Sequence, residues 1–282
     1  MGRISSLWSK PLKPNPNAKG YFLGIGLNRV NPEAYGGWDG QLVACHNDVQ
    51  CLRNAITLGR RWQSPMVLFD AAATAKAVEI AYRQLGEQAQ PGDLVVIVRS
   101  SHGGQFRDSN KDEADGLDET LCLYDGQVPD DVHASWLAYF KPGVRVVLIT
   151  DTCHSQTVAR GAVPSLAEIE RPRVKTMPRD VAKYAGDLQK GKIRGLRAAA
   201  NTAPIVASVV SLAACKDSQT AMDGDRNGQF TAGLLSVWGE ASSYSDFIRR
   251  ARRYCPDQTP QIELLGPQKH VDAFAKQKPF TL

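Results

Sequence analysis

DLVVIVRS at 93–100 and VRVVLIT at 144–150 are the two runs that decide the fold. Both are short and apolar almost throughout, without the polar alternation of a strand that shows one face to water, so each is expected to be buried on both faces. Working outward, YFLGIG (21–26), PMVLFD (65–70), PIVASVVSLAAC (204–215) and QIELLG (261–266) are four further candidate strands. Helical stretches lie between them: QLVACHNDVQCLRNAITLG (41–59) ended by Gly59, a second from Thr74 as cap to about Gln90, and a third starting near Asp130. FTAGLLSVWGE (230–240) and SYSDFIRRARRY (243–254) complete the set. Strands alternating with helices imply an α/β fold, a mostly parallel sheet of about six strands with helices on both faces.

The whole chain has 282 residues, 43% of them hydrophobic and 22% charged, with a net charge of +5. That composition is of an ordinary globular protein and excludes collagen-like, coiled-coil and disordered classes. The charge excess is too small to argue for a nucleic-acid or membrane partner, so neither is expected. No run of 18 apolar residues exists, and the first twenty residues lack the apolar core of a signal peptide, so a cytoplasmic protein is expected. Six scattered cysteines, with no C-x-x-C pair, are expected to be reduced thiols. The organisation expected is an arm (1–20), a body (21–266) and a C-terminal tail (267–282). The body divides into a large block (21–158), a basic linker (159–203) and a small block (204–266), the stretch from about 156 to 203 reading as loose because it shows little apolar patterning. The charge excess is concentrated there: residues 159–197 hold ten Lys and Arg against four Asp and Glu.

In a parallel sheet, functional groups gather beyond the carboxyl ends of the strands. RSSHGGQ (99–105) places His102 after one buried strand, and TDTCHSQ (150–156) places Cys153 after the other. If these strands are neighbours, an imidazole faces a thiol, favours its thiolate and can protonate a leaving amine. His154 adjoins the cysteine and would point away from it, His46 and His133 sit on helices, and His270 lies in the C-terminal segment. His102 alone is followed by the Gly-Gly that lets a backbone approach a substrate. The amides of Gly103 and Cys153 could then stabilise an oxyanion. A lone cysteine is usually a small buried hydrophobe and a lone histidine a satisfied polar residue, but both at ends of adjacent buried strands favour catalysis.

S-x-H-G-G after one strand and D-[ST]-C-H-S after the next resemble the catalytic signatures of caspase-fold cysteine peptidases, in particular the metacaspases and their bacterial relatives. GLNRVNPEAYGGWDGQL, DEADGLDETLCLYDGQVPDD, NGQFTAGLL and PDQTPQ match the bacterial group as well, so the resemblance spans about residues 20 to 266. It implies a caspase-like three-layer sandwich and a monomeric endopeptidase with Cys153 as nucleophile and His102 as its partner. It also implies cleavage after Arg or Lys of a protein or peptide, through a pocket matching Cys45, Asp48, Ser100 and Asp151. Two carboxylates beside a cleft repel one another unless a cation lies between them, which fits a basic substrate side chain. Ser101 and Gln156 depart from the usual S-G-H-G and C-H-S-G, which keeps open a catalytically impaired caspase-fold interaction module, as well as a cysteine hydrolase or transferase acting on another substrate.

The chemistry of a thiol and an imidazole requires no cofactor. The resemblance nonetheless offers Asp118, Asp130 and Asp131 as positions that bind an activating calcium in some metacaspases, although Arg160 stands where those enzymes supply a further carboxylate. DGDRNG (223–228) begins like a calcium loop but has Leu234 at its twelfth position, and it reads as a polar turn. In a peptidase specific for Arg or Lys, the basic linker is itself substrate-like and tethered beside the site. Self-cleavage of a zymogen is therefore expected there, with Arg173, Lys175, Arg179 and Arg194 as candidate positions.

Overall fold

The structure, a computed structural model, describes residues 15–107, 117–152, 173–216 and 219–282. Six strands form the central sheet: β1 (Gly20–Gly26), β2 (Met66–Phe69), β3 (Leu94–Ser100), β7 (Arg145–Asp151), β9 (Ser208–Ala213) and β11 (Gln261–Leu265). Their order is β11-β9-β7-β3-β1-β2. Every neighbouring pair is parallel except β11 against β9. A smaller antiparallel sheet consists of β4 (Gly103–Arg107), β5 (Leu117–Leu123) and β6 (Gly126–Pro129), and the two-residue strands β8 (Arg173–Val174) and β10 (Met222–Asp223) pair with one another.

Seven α-helices accompany these strands among the described residues: α1 (Cys45–Ile56), α2 (Ala75–Gln88), α3 (Asp130–Trp136), α4 (Arg179–Ala198), α5 (Gln229–Ser236), α6 (Tyr244–Ala251) and α7 (Gln268–Ala275). Side chains alternate across a strand, and here both sets are buried. Leu23, Ile25, Val95, Ile97 and Val146 enter a core with α2, α3, α4 and the smaller sheet. Phe22, Val96, Val98, Val147 and Ile149 enter a second core with α1, α5, α6 and α7. Helices on both faces of the sheet make the three-layer α/β sandwich expected of the sequence.

Helix ends follow local chemistry. The Thr74 hydroxyl accepts from the Ala77 amide at 3.2 Å and caps α2 as expected. At α6 the cap is Ser243, whose hydroxyl accepts from the Asp246 amide.

Two expectations need correction. The described part of the loose segment, residues 173 to 203, contains the 20-residue helix α4. Its buried positions are Ala182, Ala185, Gln189 and Ile193, which keep helical spacing but carry two alanines and an amide, so no apolar stripe announces it. Gln189 nonetheless has a role: its side-chain oxygen accepts from the Gln127 amide and its nitrogen donates to the Ala34 carbonyl. The C-terminal segment, in turn, does not trail from the body. Val271 and Phe274 of α7 are in the second core, where Phe274 meets Tyr244 edge to face.

Replacing Thr74 by Ala should lower unfolding free energy by about 1 kcal/mol in urea titration. Ala185→Asp, which puts an unpaired carboxylate between α4 and the sheet, should cost several kcal/mol more and detach the helix.

Candidate active site

β3 and β7 are adjacent and parallel, with Ser100 opposite Asp151. His102 follows the end of one strand, while the other leads through Thr152 to Cys153, which lies outside the described residues. The His102 ring is buried and tilted against Trp38, with ring centres 4.7 Å apart. Its Nε2 lies 3.0 Å from the Gly40 carbonyl, which can only accept, so Nε2 carries the proton and Nδ1 keeps its lone pair. Gly40 has φ +59, and a side chain there would meet both the Trp38 and His102 rings. Burial lowers the His102 pKa to about 3, the Gly40 bond opposes that shift, and the nearby Lys175 ammonium adds to it. The imidazole is therefore neutral in this arrangement.

The other described histidines are occupied elsewhere. His46 meets Asp70 and stacks on Phe69, and His133 shares a 2.7 Å hydrogen bond with the Tyr82 hydroxyl. His270 lies on α7, far along the chain in the C-terminal helix.

The four residues of the expected basic-specific pocket converge. Asp48 and Cys45 come from the first turns of α1, Ser100 from the end of β3 and Asp151 from the end of β7, and all are buried. Burial pushes the Cys45 thiol well up, so it is an uncharged wall residue. Between the carboxylates lies a cation from the chain itself. Lys175 is fully buried; its Nζ donates to Asp48 Oδ2 at 2.8 Å and to Ser100 Oγ at 2.9 Å, and stands 3.1 Å from Asp151 Oδ1. Burial alone would discharge this ammonium, but the Asp151 and Asp48 carboxylates outweigh it and hold its pKa well above the ordinary value. Burial raises the Asp151 carboxyl, and Lys175 opposes that rise.

Three residues that sequence reasoning did not assign complete this pocket. The Asn227 side chain and the Gly228 amide donate to Asp48 Oδ1 at 3.1 and 2.8 Å. The Thr231 amide and hydroxyl donate to Asp151 Oδ2 at 3.1 and 2.7 Å. A Cβ on Gly228 would fall 2.4 Å from the lysine Nζ, so only glycine leaves room for the cation. DGDRNG is thus more than the polar turn expected: its first residue, Asp223, accepts from the amides of Val43 and Ala44 at the start of α1, and its last two residues line the pocket. The available signal was NGQFTAGLL, which carries Asn227, Gly228 and Thr231 together.

The backbone bends at Lys175, between the end of β8 and a bridge of Thr176 to Gly103, and is bonded on both sides. Its amide donates to the Ala221 carbonyl, and its own carbonyl accepts from the Gly103 amide at 3.0 Å, while the Met177 amide donates to the Gly103 carbonyl. The expected oxyanion donor Gly103 therefore already holds the carbonyl of a residue whose side chain fills the acidic pocket. Arg173 is exposed in β8, and Arg179 and Arg194 are exposed on α4.

A histidine just beyond β3, a cysteine two residues after the last residue of the adjacent β7 in sequence, and a buried acidic pocket at those strand ends on a three-layer sandwich define the class of caspase-fold cysteine peptidases. A family model described as "Metacaspase, peptidase C14 domain" matches residues 23–160. Metacaspase-1 of Mycosarcoma maydis is 32% identical, over 88% of this chain and 70% of that protein. Metacaspase-1 of Pyricularia oryzae is 30% identical, over 86% of this chain and 71% of the relative. The crystal structure of protein GSU0716 from Geobacter sulfurreducens superposes with a TM-score of 0.80 at 35% identity, covering 93% of this chain and 98% of that one. The chain belongs to the metacaspase family and is a cysteine peptidase.

Removing one member of a buried ion group leaves uncompensated charge. In the Cys153→Ala chain, Lys175→Met should cost about 3–5 kcal/mol of unfolding free energy near neutral pH. The deficit should shrink at acid pH, because a buried carboxyl with a raised pKa takes up a proton readily, and urea titrations at two pH values measure the difference.

Proposed function

We propose that this metacaspase is an endopeptidase that cleaves after Lys or Arg with Cys153 and His102, and that its first substrate is its own chain at the Lys175–Thr176 bond. The single observation that carries the reading is the double engagement of Lys175: ammonium between Asp48 and Asp151, carbonyl oxygen on the Gly103 amide. A residue anchored by side chain and carbonyl at once holds its carbonyl carbon in a fixed position for attack. Arg179 and Arg194 belong to a helix, whose peptides are bonded internally and cannot lie extended in a cleft, and Arg173 is exposed.

Proton transfer from the thiol to His102 Nδ1 generates the thiolate, which attacks the Lys175 carbonyl carbon. Negative charge develops on the oxygen facing the Gly103 amide, with the Cys153 amide as second donor. Collapse breaks the bond to the Thr176 nitrogen, which leaves with the proton from His102. Water, deprotonated by the same imidazole, then hydrolyses the thioester and leaves a carboxylate on Lys175. No cofactor takes part in these steps. With the imidazole pKa at about 3 while Lys175 is seated, the imidazolium thiolate pair is disfavoured. Withdrawal of the cleaved segment hydrates the ring, removes a neighbouring cation and opens the pocket to other basic side chains. The enzyme in this reading is a zymogen that matures by a single cut, and it acts as a cytoplasmic monomer on proteins or peptides, with no nucleic-acid or membrane partner.

Purified wild type, incubated beside Cys153→Ala and sequenced from its new N-termini, should yield a fragment starting at Thr176, and only where Cys153 is present. Lys175→Arg should preserve the cut and Lys175→Ala should abolish it. The matured enzyme should turn over fluorogenic peptides ending in Arg or Lys at least a hundredfold faster than those ending in Asp, since an acidic side chain would enter a pocket of two carboxylates. A wild type that stays intact and turns over no peptide would overturn the reading and favour a non-catalytic interaction module.

A further inference from the structure

Two of the three carboxylates that resemblance offered for calcium, Asp118 and Asp131, are bonded to one arginine. Arg197, in the last turn of α4, donates from Nη2 to Asp118 Oδ1 at 2.5 Å and from Nε to Asp131 Oδ2 at 3.1 Å. Its guanidinium also lies 5.8 Å from the centre of the Phe106 ring. Asp130 exerts its charge on Arg99, a buried arginine of β3. Among the described residues no group of three His, Cys, Asp or Glu side chains is placed to hold a metal ion.

Calcium takes six to eight oxygen ligands at 2.3–2.6 Å, and those oxygens must turn towards it. Asp118 and Asp131 instead turn oxygens to the two N–H groups of one guanidinium edge, a planar donor fork matched to carboxylates. The Arg197 side chain is only 16% exposed and that of Asp118 3% exposed, so an entering divalent cation would have to expel a largely buried positive group rather than water. Asp118 and Asp131, as arranged in this chain, do not fit calcium.

We propose that Arg197 is a built-in cation that takes the place of calcium in this acidic cluster. It joins three elements that converge on the site from different parts of the chain. Asp118 lies on β5, paired with Phe106 on β4, the strand that starts at Gly103. Asp131 lies in the first turn of α3. Arg197 closes α4, the helix that begins three residues after Thr176. The guanidinium therefore fixes α4 to the sheet that carries the Gly103 amide, and it does so permanently, where a bound ion would do so only above a threshold concentration. Arg197 is a positioning residue and touches no reacting atom. The proposal is independent of whether Lys175 is the residue cleaved.

The test uses the full-length Cys153→Ala chain, which stays intact, with thermal unfolding and calorimetric titration of calcium chloride. The chain with Arg197 should show the same Tm in EDTA and in millimolar calcium, and no binding heat from this cluster. Arg197→Gln should lower Tm by about 3–8 °C in EDTA, recover part of that loss on adding calcium, and bind the ion measurably. Asp118→Asn added to Arg197→Gln should abolish that recovery. Arg197→Lys, which keeps the charge and loses the fork, should fall between the two in Tm and stay indifferent to calcium. An Arg197→Gln chain that neither binds calcium nor is stabilised by it would overturn the proposal, as would calcium binding by the Arg197-containing chain that Asp118→Asn removes.

Discussion

The constraint on which this molecule rests is a lysine ammonium with no access to water, held between two carboxylates. Taking any one of these charges out of water is costly, and only the mutual proximity of Asp48, Lys175 and Asp151 makes their joint burial tolerable. That requirement reaches far. It demands glycine at 228, recruits the amide and hydroxyl of Thr231 at the start of α5, and ties the first turns of α1 to residues 180 positions further along the chain. A pocket of this kind cannot be left empty at low cost. What fills it here is the slender Lys175 side chain, whose ammonium donates to Asp48 and Ser100 and lies beside Asp151.

The same demand organises the surrounding electrostatics. Three of the basic residues in the described part of the window 159–197 are paired with acidic groups. Lys175 neutralises the pocket, Lys192 binds Asp125, and Arg197 binds Asp118 and Asp131, while Arg173, Arg179, Lys183, Lys190 and Arg194 face water. Acidic groups lie on the large block and cations on the segment that crosses it. Long-range attraction of this kind is screened at the surface, but two of these three contacts are largely shielded from solvent and so keep most of their strength at physiological salt.

How much of this could be read from the sequence differs from element to element for physical reasons. β3 and β7 were legible because burial on both faces demands unbroken apolar runs, while their neighbouring placement, a condition in the sequence reading, comes from the sheet order. α2 was legible through its cap at Thr74. α4 was not, because its inward positions are filled by Ala182, Ala185 and Gln189, whose small or polar side chains suit a close helix-to-sheet approach but leave no stripe. The sheet of β4, β5 and β6 was likewise missed, since an acidic stretch hides the start of β5. In the site, His102 was readable from its place after a buried strand, and Asp48, Ser100 and Asp151 through the family resemblance. The contributions of Gly40, Asn227, Gly228 and Thr231 were not, for a carbonyl, an amide or a missing side chain acts through geometry that no residue type announces. Lys175 appeared as one of four candidates; its neighbours in space, not its neighbours in sequence, distinguish it.

The strand order has a further consequence for what a cut beside α4 would produce. β9 and β11 lie beyond Lys175 in the chain, yet β9 is hydrogen-bonded along its whole length to β7, and α5 through α7 cover one face of strands that precede the cut. Severing a single peptide bond would therefore yield a nicked molecule whose two polypeptides share one sheet and one hydrophobic core. They would migrate together in native gel filtration and separate only in denaturant, and neither half would have a complete fold to return to alone. Such a nick is a one-way change in covalent connectivity with almost no change in architecture, so the intact and processed forms would be distinguished by the freedom of one short strand rather than by shape.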